Sequence, residues 1–280
     1  MGVASTRQEG LDKFYTVPTV AKSCLQSLEE LYPWSKWDLI LEPSAGNGSF
    51  FLQIPSSHKL GLDIAPEHDQ ILKQDFLEFS PDSSKKSILV LGNPPFGKIS
   101  SLAIKFFNHA ATFASVIAFI VPRTFRRRSL QSKLNPSFHL IKDIEIPLEP
   151  CAFSPPMMAK CCFQIWEKRN DLRIRLPLTT VHKDWQFLPY GPLDKNGQPT
   201  PPSDADFALR AYGGQCGEIQ TLYLYLLRPK SWHWIKANIP KDILMERFST
   251  LDYSLAQDTA RQNSIGRADL VLLYTESFGS

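Results

Sequence analysis

Apolar and polar positions along the chain fall into short runs that switch between two periods. Residues 17–32 carry Val20, Cys24, Leu25, Leu28 and Leu31 near a 3.6 spacing, with Pro18 where a first helical turn accepts it, and predict a helix. Compact apolar runs predict strands at Trp37–Leu41, Lys59–Ile64, Ile71–Phe76 (the weakest), Ile88–Leu91 and the β-branched Ser115–Val121. Two more fall near Ile141–Ile146 and Lys160–Trp166. Between them Ser49–Leu52 predicts a helical turn, and Ser101–Phe113 and Arg126–Leu134 predict helices. Strand and helix signals that alternate in this way predict an α/β fold, a doubly wound and mostly parallel sheet.

Near Glu167 the character changes. Residues 168–206 mix charged clusters with the Pro-rich stretch Leu188–Pro202, a linker or a long surface loop. Beyond it come an apolar-polar segment at Phe207–Tyr212, the turn Gly213-Gly214 and a β-like alternation over Thr221–Leu227. Helical patterns near Ile239–Phe248 and Ile265–Tyr274 close the chain. The expected organisation is a catalytic core over residues 1–167 and a smaller α+β module over residues 168–280, with no internal repeat.

Composition narrows the picture only modestly. The 280 residues are 43% apolar, enough for a sizeable core. A net charge of +3 neither demands nor excludes a polyanionic partner. No apolar stretch approaches membrane-spanning length and the start has no apolar signal core, so no membrane partner is expected. Five cysteines, an odd count without a CxxC pair, fit a reducing intracellular setting, cytoplasmic or nucleoid/nuclear, as small core hydrophobes. The six histidines fall at no ligand-like spacing, so no metal site is expected.

The candidate chemistry lies at strand ends. Asn93-Pro94-Pro95-Phe96 stops the run Ile88–Gly92, placing a short rigid loop at a strand's carboxyl end, where open α/β sheets bind their ligands. The prolines bring carbonyls without amide donors, and the Asn side chain brings an acceptor and two donors. Such a loop can grip a planar amine by accepting both its hydrogens while Phe96 stacks on the attached ring. Directly after the first strand comes Glu42-Pro43-Ser44-Ala45-Gly46-Asn47-Gly48-Ser49, whose glycines permit a sharp turn and close approach to a ligand. It lacks the endings of a P-loop and of a dinucleotide fingerprint. Asp63 ends the second strand at the distance where such folds hold a ribose diol. Asp75-Phe76 follows the third, offering a carboxylate beside an aromatic wall for an adenine ring.

Taken together these motifs resemble class I S-adenosylmethionine-dependent methyltransferases of the amino-methylating type, best known from DNA N6-adenine methyltransferases. The family's glycine motif is similar to Glu42–Gly48, its ribose-binding acid to Asp63, its adenine-contacting pair to Asp75-Phe76, and its catalytic (Asn/Asp/Ser)-Pro-Pro-(Tyr/Phe/Trp) to Asn93–Phe96. An aromatic-Thr-Pro element before the glycine loop resembles Phe14-Tyr15-Thr16-Val17-Pro18, with Val17 inserted. The likeness spans roughly residues 12–166. It implies a Rossmann-like seven-stranded sheet and S-adenosyl-L-methionine as cofactor, held by Tyr15, Thr16, Glu42, Pro43, Ser44, Ala45, Gly46, Gly48, Asp63, Ile64, Asp75, Phe76 and Asn93. Catalysis is then expected from Asn93, Pro94, Pro95 and Phe96 on a nucleic acid, DNA ahead of RNA, with the target base taken out of its stack.

Other features have blander alternatives. Arg126-Arg127-Arg128 follows the fifth strand and is expected to contact nucleic-acid phosphates, against the commoner role of a solvated helix face. Trp185, Phe187, Tyr190 and Trp232-His233-Trp234 lie among basic residues, but packing of the small module is the stronger expectation. Cys161-Cys162 reads as a core strand. Two other functions share the chemistry: a protein glutamine N5-methyltransferase, whose amide presents the same NH2 group, and a cofactor-binding module without catalysis.

Overall fold

The computed structural model describes residues 14–174 and 178–279. They divide into two compact units. The first runs to Thr124 and resumes over Ser132–Ile174; the second takes Phe125–Gln131 and the C-terminal residues. The last strand of the first sheet ends at Lys168, and the first unit continues to Ile174. An insertion, 125–131, leaves the first stretch to join the second unit.

The first unit is built on seven strands: β1 (Leu39–Glu42), β2 (Lys59–Asp63), β3 (Ile71–Lys73), β4 (Ile88–Gly92), β5 (Val116–Pro122), β6 (Phe138–Glu145) and β7 (Cys161–Lys168). Their order is β3-β2-β1-β4-β5-β7-β6. The first five strands pair in parallel, and β7 runs antiparallel between β5 and β6. Every residue of β4 and β5 is buried, as the continuous apolar runs require of central parallel strands. This is the α/β, mostly parallel seven-stranded sheet that the sequence predicts. The connections in its first half hold little helix: a 3-10 turn at Phe51–Gln53, close to the turn expected at Ser49–Leu52, and another at Phe76–Glu78, where the expected strand Ile71–Phe76 has already ended. β3 stops at Lys73 because the Asp75 side chain caps the following turn, accepting from the Leu77 N–H at 2.8 Å.

Helix α1 (Pro18–Glu29) starts on Pro18 and buries Ala21, Cys24, Leu25 and Leu28 against the sheet core around Ile40, Leu89 and Leu91. Each of the two leucines contributes about 1.5–3 kcal/mol by leaving water. The helix stops short of the expected residue 32 because Pro33 biases Tyr32 out of the helical region. Helix α2 (Ser101–Ala110) buries Ala103, Phe106, Phe107 and Ala110. Cys161 and Cys162 sit fully buried in β7, and burial pushes the Cys161 thiol up to about 12, which leaves it inert.

The second unit holds an antiparallel sheet of β8 (Trp185–Phe187), β9 (Phe207–Arg210), β10 (Ile219–Gln220) and β11 (Trp232–Ala237), in the order β8-β11-β9-β10. Helices α3 (Lys241–Ser249) and α4 (Arg267–Phe278) share its core through Leu244, Phe248, Leu270 and Tyr274. Trp185 and Trp234 are each 1% exposed, so these aromatics pack the module. His233 lies on β11, where burial lowers its pKa to about 4 while its Nε2 meets the Ile265 carbonyl at 2.9 Å. The Pro-rich stretch closes on itself, with Gly191 N–H donating to the Thr200 carbonyl at 2.8 Å, and is a loop rather than an open linker. Thr221–Leu227 is no strand: Leu224–Leu226 form a 3-10 turn. No helix among the described residues is long and apolar enough to cross a membrane.

Candidate active site

All the pieces of the candidate site belong to the first unit. The glycine loop leaves β1 after Glu42 and is tied to β2 by the Ala45 N–H, which donates to the Leu62 carbonyl at 2.9 Å. Gly46 has φ +51°, and a Cβ there would stand 2.5 Å from Cε1 of Tyr15. Glycine is required at this point, both for the left-handed turn and because the Tyr15 ring lies on it. Tyr15 is itself held by a two-residue ladder, Tyr15–Thr16 against Phe153–Ser154, and by its hydroxyl, which donates to Glu67. Burial, then this hydrogen bond, raises the Tyr15 pKa.

Asp63 ends β2 as expected, and each of its oxygens is already in use. Oδ2 accepts from the Gly46 N–H at 2.8 Å, and Oδ1 from the Ala65 N–H at 2.8 Å. The carboxylate therefore shapes the glycine loop first. It retains lone pairs for a further donor, since a carboxylate offers about four. Ile64 beside it is 49% exposed.

Glu42 is the electrostatic centre of the site. It is 2% exposed, its Oε2 finds no hydrogen-bond partner among the described residues, and burial drives its carboxyl pKa well above the usual range. The charge on Asp63 adds to the rise, and the Phe51 amide opposes it. Gly92, the last residue of β4, packs on it so closely that a Cβ would lie 3.0 Å from Cγ of Glu42.

Asn93 follows Gly92. Its Nδ2 donates to the Phe14 carbonyl at 3.2 Å, and its own carbonyl accepts from the Ser44 hydroxyl at 3.1 Å. A carbonyl can only meet the NH2 end of an amide, so this contact orients the side chain and leaves Oδ1 as the acceptor to be filled. Pro94 is buried; Pro95 and Phe96 are half-buried. The Phe96 ring packs against the core cluster, and its carbonyl accepts from the Leu102 and Ala103 N–H groups in the first turn of α2.

A small open cleft lies between Glu42, the glycine loop and Asn93. Tyr15, Thr16, Glu42, Ser44, Ala45 and Asn93 line it, six residues singled out from the sequence. Phe14, Asn47, Ser49 and Phe50 line it too, and were missed. Asn47 and Ser49 were visible inside the glycine loop; Phe14 works through a backbone carbonyl, which side-chain identity does not signal. Thr16 supplies a second buried oxygen, Oγ1, without a partner among the described residues.

Two expectations need correction. Phe76 is 1% exposed and its ring lies among Phe106, His109 and Phe113, at centroid distances of 5.0, 4.8 and 6.2 Å, so it is a core residue and no open wall. Asp75 remains exposed above it. The three arginines, expected to meet phosphates, pair with carboxylates of the second unit. Arg126 pairs with Asp258 at 3.3 Å and Arg127 with Asp269 at 3.2 Å, while Arg128 pairs with Glu276. Among the described residues no group of three or more His, Cys, Asp or Glu side chains is arranged to hold a metal.

No family model matches the sequence, and no curated protein matches it. Among solved structures the chain is similar to a Pyrococcus horikoshii protein described as an RNA methyltransferase, at 16% identity and TM-score 0.41, over 55% of this chain and 86% of that one. It is similar to a Listeria monocytogenes protein described as a class I S-adenosylmethionine-dependent methyltransferase, at 16% identity and TM-score 0.44, over 63% of this chain and 65% of that one. The N-methyltransferase NodS of Bradyrhizobium japonicum gives 11% identity and TM-score 0.38, over 54% of this chain and 96% of that one. Scores this low carry no function across to this chain.

Proposed function

We propose that the protein transfers a methyl group from S-adenosyl-L-methionine to the exocyclic N6 amine of adenine in a nucleic acid, DNA before RNA. One observation carries the reading: Asn93 is held by the Phe14 carbonyl so that Oδ1 is its available acceptor, in a cleft shared with the glycine loop. The cleft suits the cofactor's amino-acid end, because Glu42 Oε2 and Thr16 Oγ1 are buried polar atoms still lacking partners. An unpaired buried polar atom costs about 1–3 kcal/mol, which a ligand's ammonium and carboxylate groups would recover. Tyr15, Thr16, Glu42 and Ser44 would hold that end, and Asp63 the ribose. When bound, the cofactor supplies a methyl group on a positively charged sulfur, already electrophilic.

The chain's own residues supply orientation. The amine lone pair of adenine is delocalised into its ring and is a poor nucleophile. Accepting one hydrogen at Asn93 Oδ1 and the other at the Pro94 carbonyl favours a pyramidal nitrogen with its lone pair freed. Neither group takes the proton in the transfer itself; it leaves to solvent after the new bond forms. Phe96 offers a ring face to the base.

The test is direct. The protein is incubated with methyl-labelled cofactor and, separately, with DNA, RNA and protein, and the product is identified by mass spectrometry. N6-methyladenine in a nucleic acid supports the proposal. Label on glutamine keeps the chemistry and changes the substrate class. No label in any fraction sinks it.

A further inference from the structure

The second unit carries a surface that the methyl-transfer chemistry does not use. The 3-10 turn at Leu224–Leu226 repeats every three residues, which turns Leu224 and Leu227 inward against Ala208, Trp232 and Trp234. The residues around them face water: Leu222 and Tyr223 are each 66% exposed, and Tyr225 and Leu226 each 71%. Tyr223 holds φ +53°, a left-handed conformation that a bulky side chain adopts only under constraint. The segment is pinned by the Leu226 N–H on the Tyr223 carbonyl at 3.0 Å and by the Trp234 indole on the Pro229 carbonyl at 3.2 Å. Two phenol rings, 6.4 Å apart and edge-on, are thus presented in a fixed arrangement. Contiguous exposed apolar groups of this kind mark a place for a partner.

Charge selects the partner. Between Glu218 and Asp242 the chain has no acidic residue, while Arg228, Lys230, Lys236 and Lys241 fall within that span. Lys236 is paired with Asp206 at 3.2 Å. Arg228 and Lys230 are exposed and pair with no carboxylate among the described residues. Rigid tyrosines beside unpaired cations suit a polyanion that also offers flat rings. We propose that the Leu222–Lys230 segment binds unpaired nucleic-acid strand, with Tyr223 and Tyr225 stacking on bases and Arg228 and Lys230 meeting phosphates. This rests on nucleic acid being the substrate, but it assigns the strand-holding surface to the second unit and can fail separately.

The test uses the full chain, wild type and two double variants, Tyr223→Ala/Tyr225→Ala and Arg228→Gln/Lys230→Gln. Each is titrated by fluorescence anisotropy against a labelled mixed-sequence single strand and its duplex. Wild type should prefer the single strand. The tyrosine variant should lose about tenfold or more in affinity. The cation variant, whose exposed positions leave folding untouched, should reduce the salt slope of log affinity by about 1.4, roughly 0.7 for each lost phosphate contact. Wild-type affinity in both variants overturns the proposal. So does a wild-type dimer that the tyrosine variant converts to monomer at unchanged strand affinity, since the surface then binds protein. Adenine methylation by wild type alongside undiminished binding in the variants rejects this surface and leaves the proposed reaction standing. Strand binding lost in the variants, with methylation only of protein, does the reverse.

Discussion

Asn93 donates to the backbone carbonyl of Phe14 across 3.2 Å, joining residues 79 positions apart in the chain. The loop after β4 is therefore oriented by the segment that precedes α1. Substituting Asn93 by Ala removes the acceptor without touching the glycine loop or Asp63. Turnover on a nucleic-acid substrate should fall by about 10²–10³, the cost of one preorganised hydrogen-bonding group. Cofactor affinity, measured by calorimetry, should stay near the wild-type value. A full rate in Asn93→Ala would reduce the tetrapeptide to a turn.

The close fit of Tyr15 on Gly46 separates two costs. Gly46→Ala should lose about 1–2 kcal/mol for a left-handed non-glycine residue, and more because the new Cβ would meet the ring at 2.5 Å. In a Tyr15→Ala background only the first cost remains. Urea unfolding of the four proteins gives the coupling energy. Strict additivity would mean that the ring moves aside freely.

Ile99 invites the opposite substitution. It holds φ +54° while 85% exposed, three residues past Phe96, and Ser100 follows at φ +59°. Replacing Ile99 by Gly should stabilise the first unit by about 0.5–1 kcal/mol, the relieved strain less the extra freedom of an unfolded glycine. A rise in melting temperature would show it, and a fall would mean that the isoleucine side chain makes a contact worth more than its strain.

The central strands were legible in the sequence because their burial on both faces leaves nothing but apolar residues, as in Ile88–Gly92 and Val116–Pro122. The same logic fails in the second unit. Trp232–Ala237 mixes His233 and Lys236 into a strand with neighbours on both sides, so its pattern is broken. Thr221–Leu227 alternates like a strand, yet Leu222 and Leu226 face water alongside Tyr223 and Tyr225. In the candidate site, the strand-end positions of the glycine loop, Asp63 and Asn93 were readable because the apolar runs before them mark where β1, β2 and β4 stop. Phe76 was misread because its surroundings come from α2, and Arg127 because its carbonyl and carboxylate partners lie 128–142 residues onward.

Arg127 illustrates the difference between a charge run and a binding patch. Its side chain is 11% exposed and that of Asp269 6%. It also donates to the carbonyls of Asp258 at 2.7 Å and of Ser264. Breaking a buried pair from one side costs about 3–5 kcal/mol, so Arg127→Met should destabilise the second unit by that order. Adding Asp269→Leu should recover part of the loss, but not all. Asp269 also accepts from the Gly266 N–H at 3.1 Å at the start of α4, and the carbonyls stay unmatched. Calorimetric melting would resolve this. A phosphate-binding arginine would instead lower nucleic-acid affinity at constant stability.

The pH dependence should be written by Glu42. Its folded-state pKa lies above the unfolded value, chiefly through burial, so the folded protein holds a proton that the unfolded chain releases. Between the two values the unfolded state binds fewer protons, and stability falls as pH rises. The contribution is fully present below the ordinary glutamate range, near pH 4.5, and is lost progressively above it up to the raised pKa. Glu42→Gln keeps the shape and removes the ionisation. It should melt higher than wild type at neutral pH, with the gap closing near pH 4 and widening as pH rises above the ordinary glutamate range toward the raised pKa. Bound cofactor should narrow that gap if its ammonium pairs with Glu42, because the charged carboxylate then has a partner. A melting difference independent of pH would mean that Glu42 is not buried as an acid, and the electrostatic role assigned to it would fall.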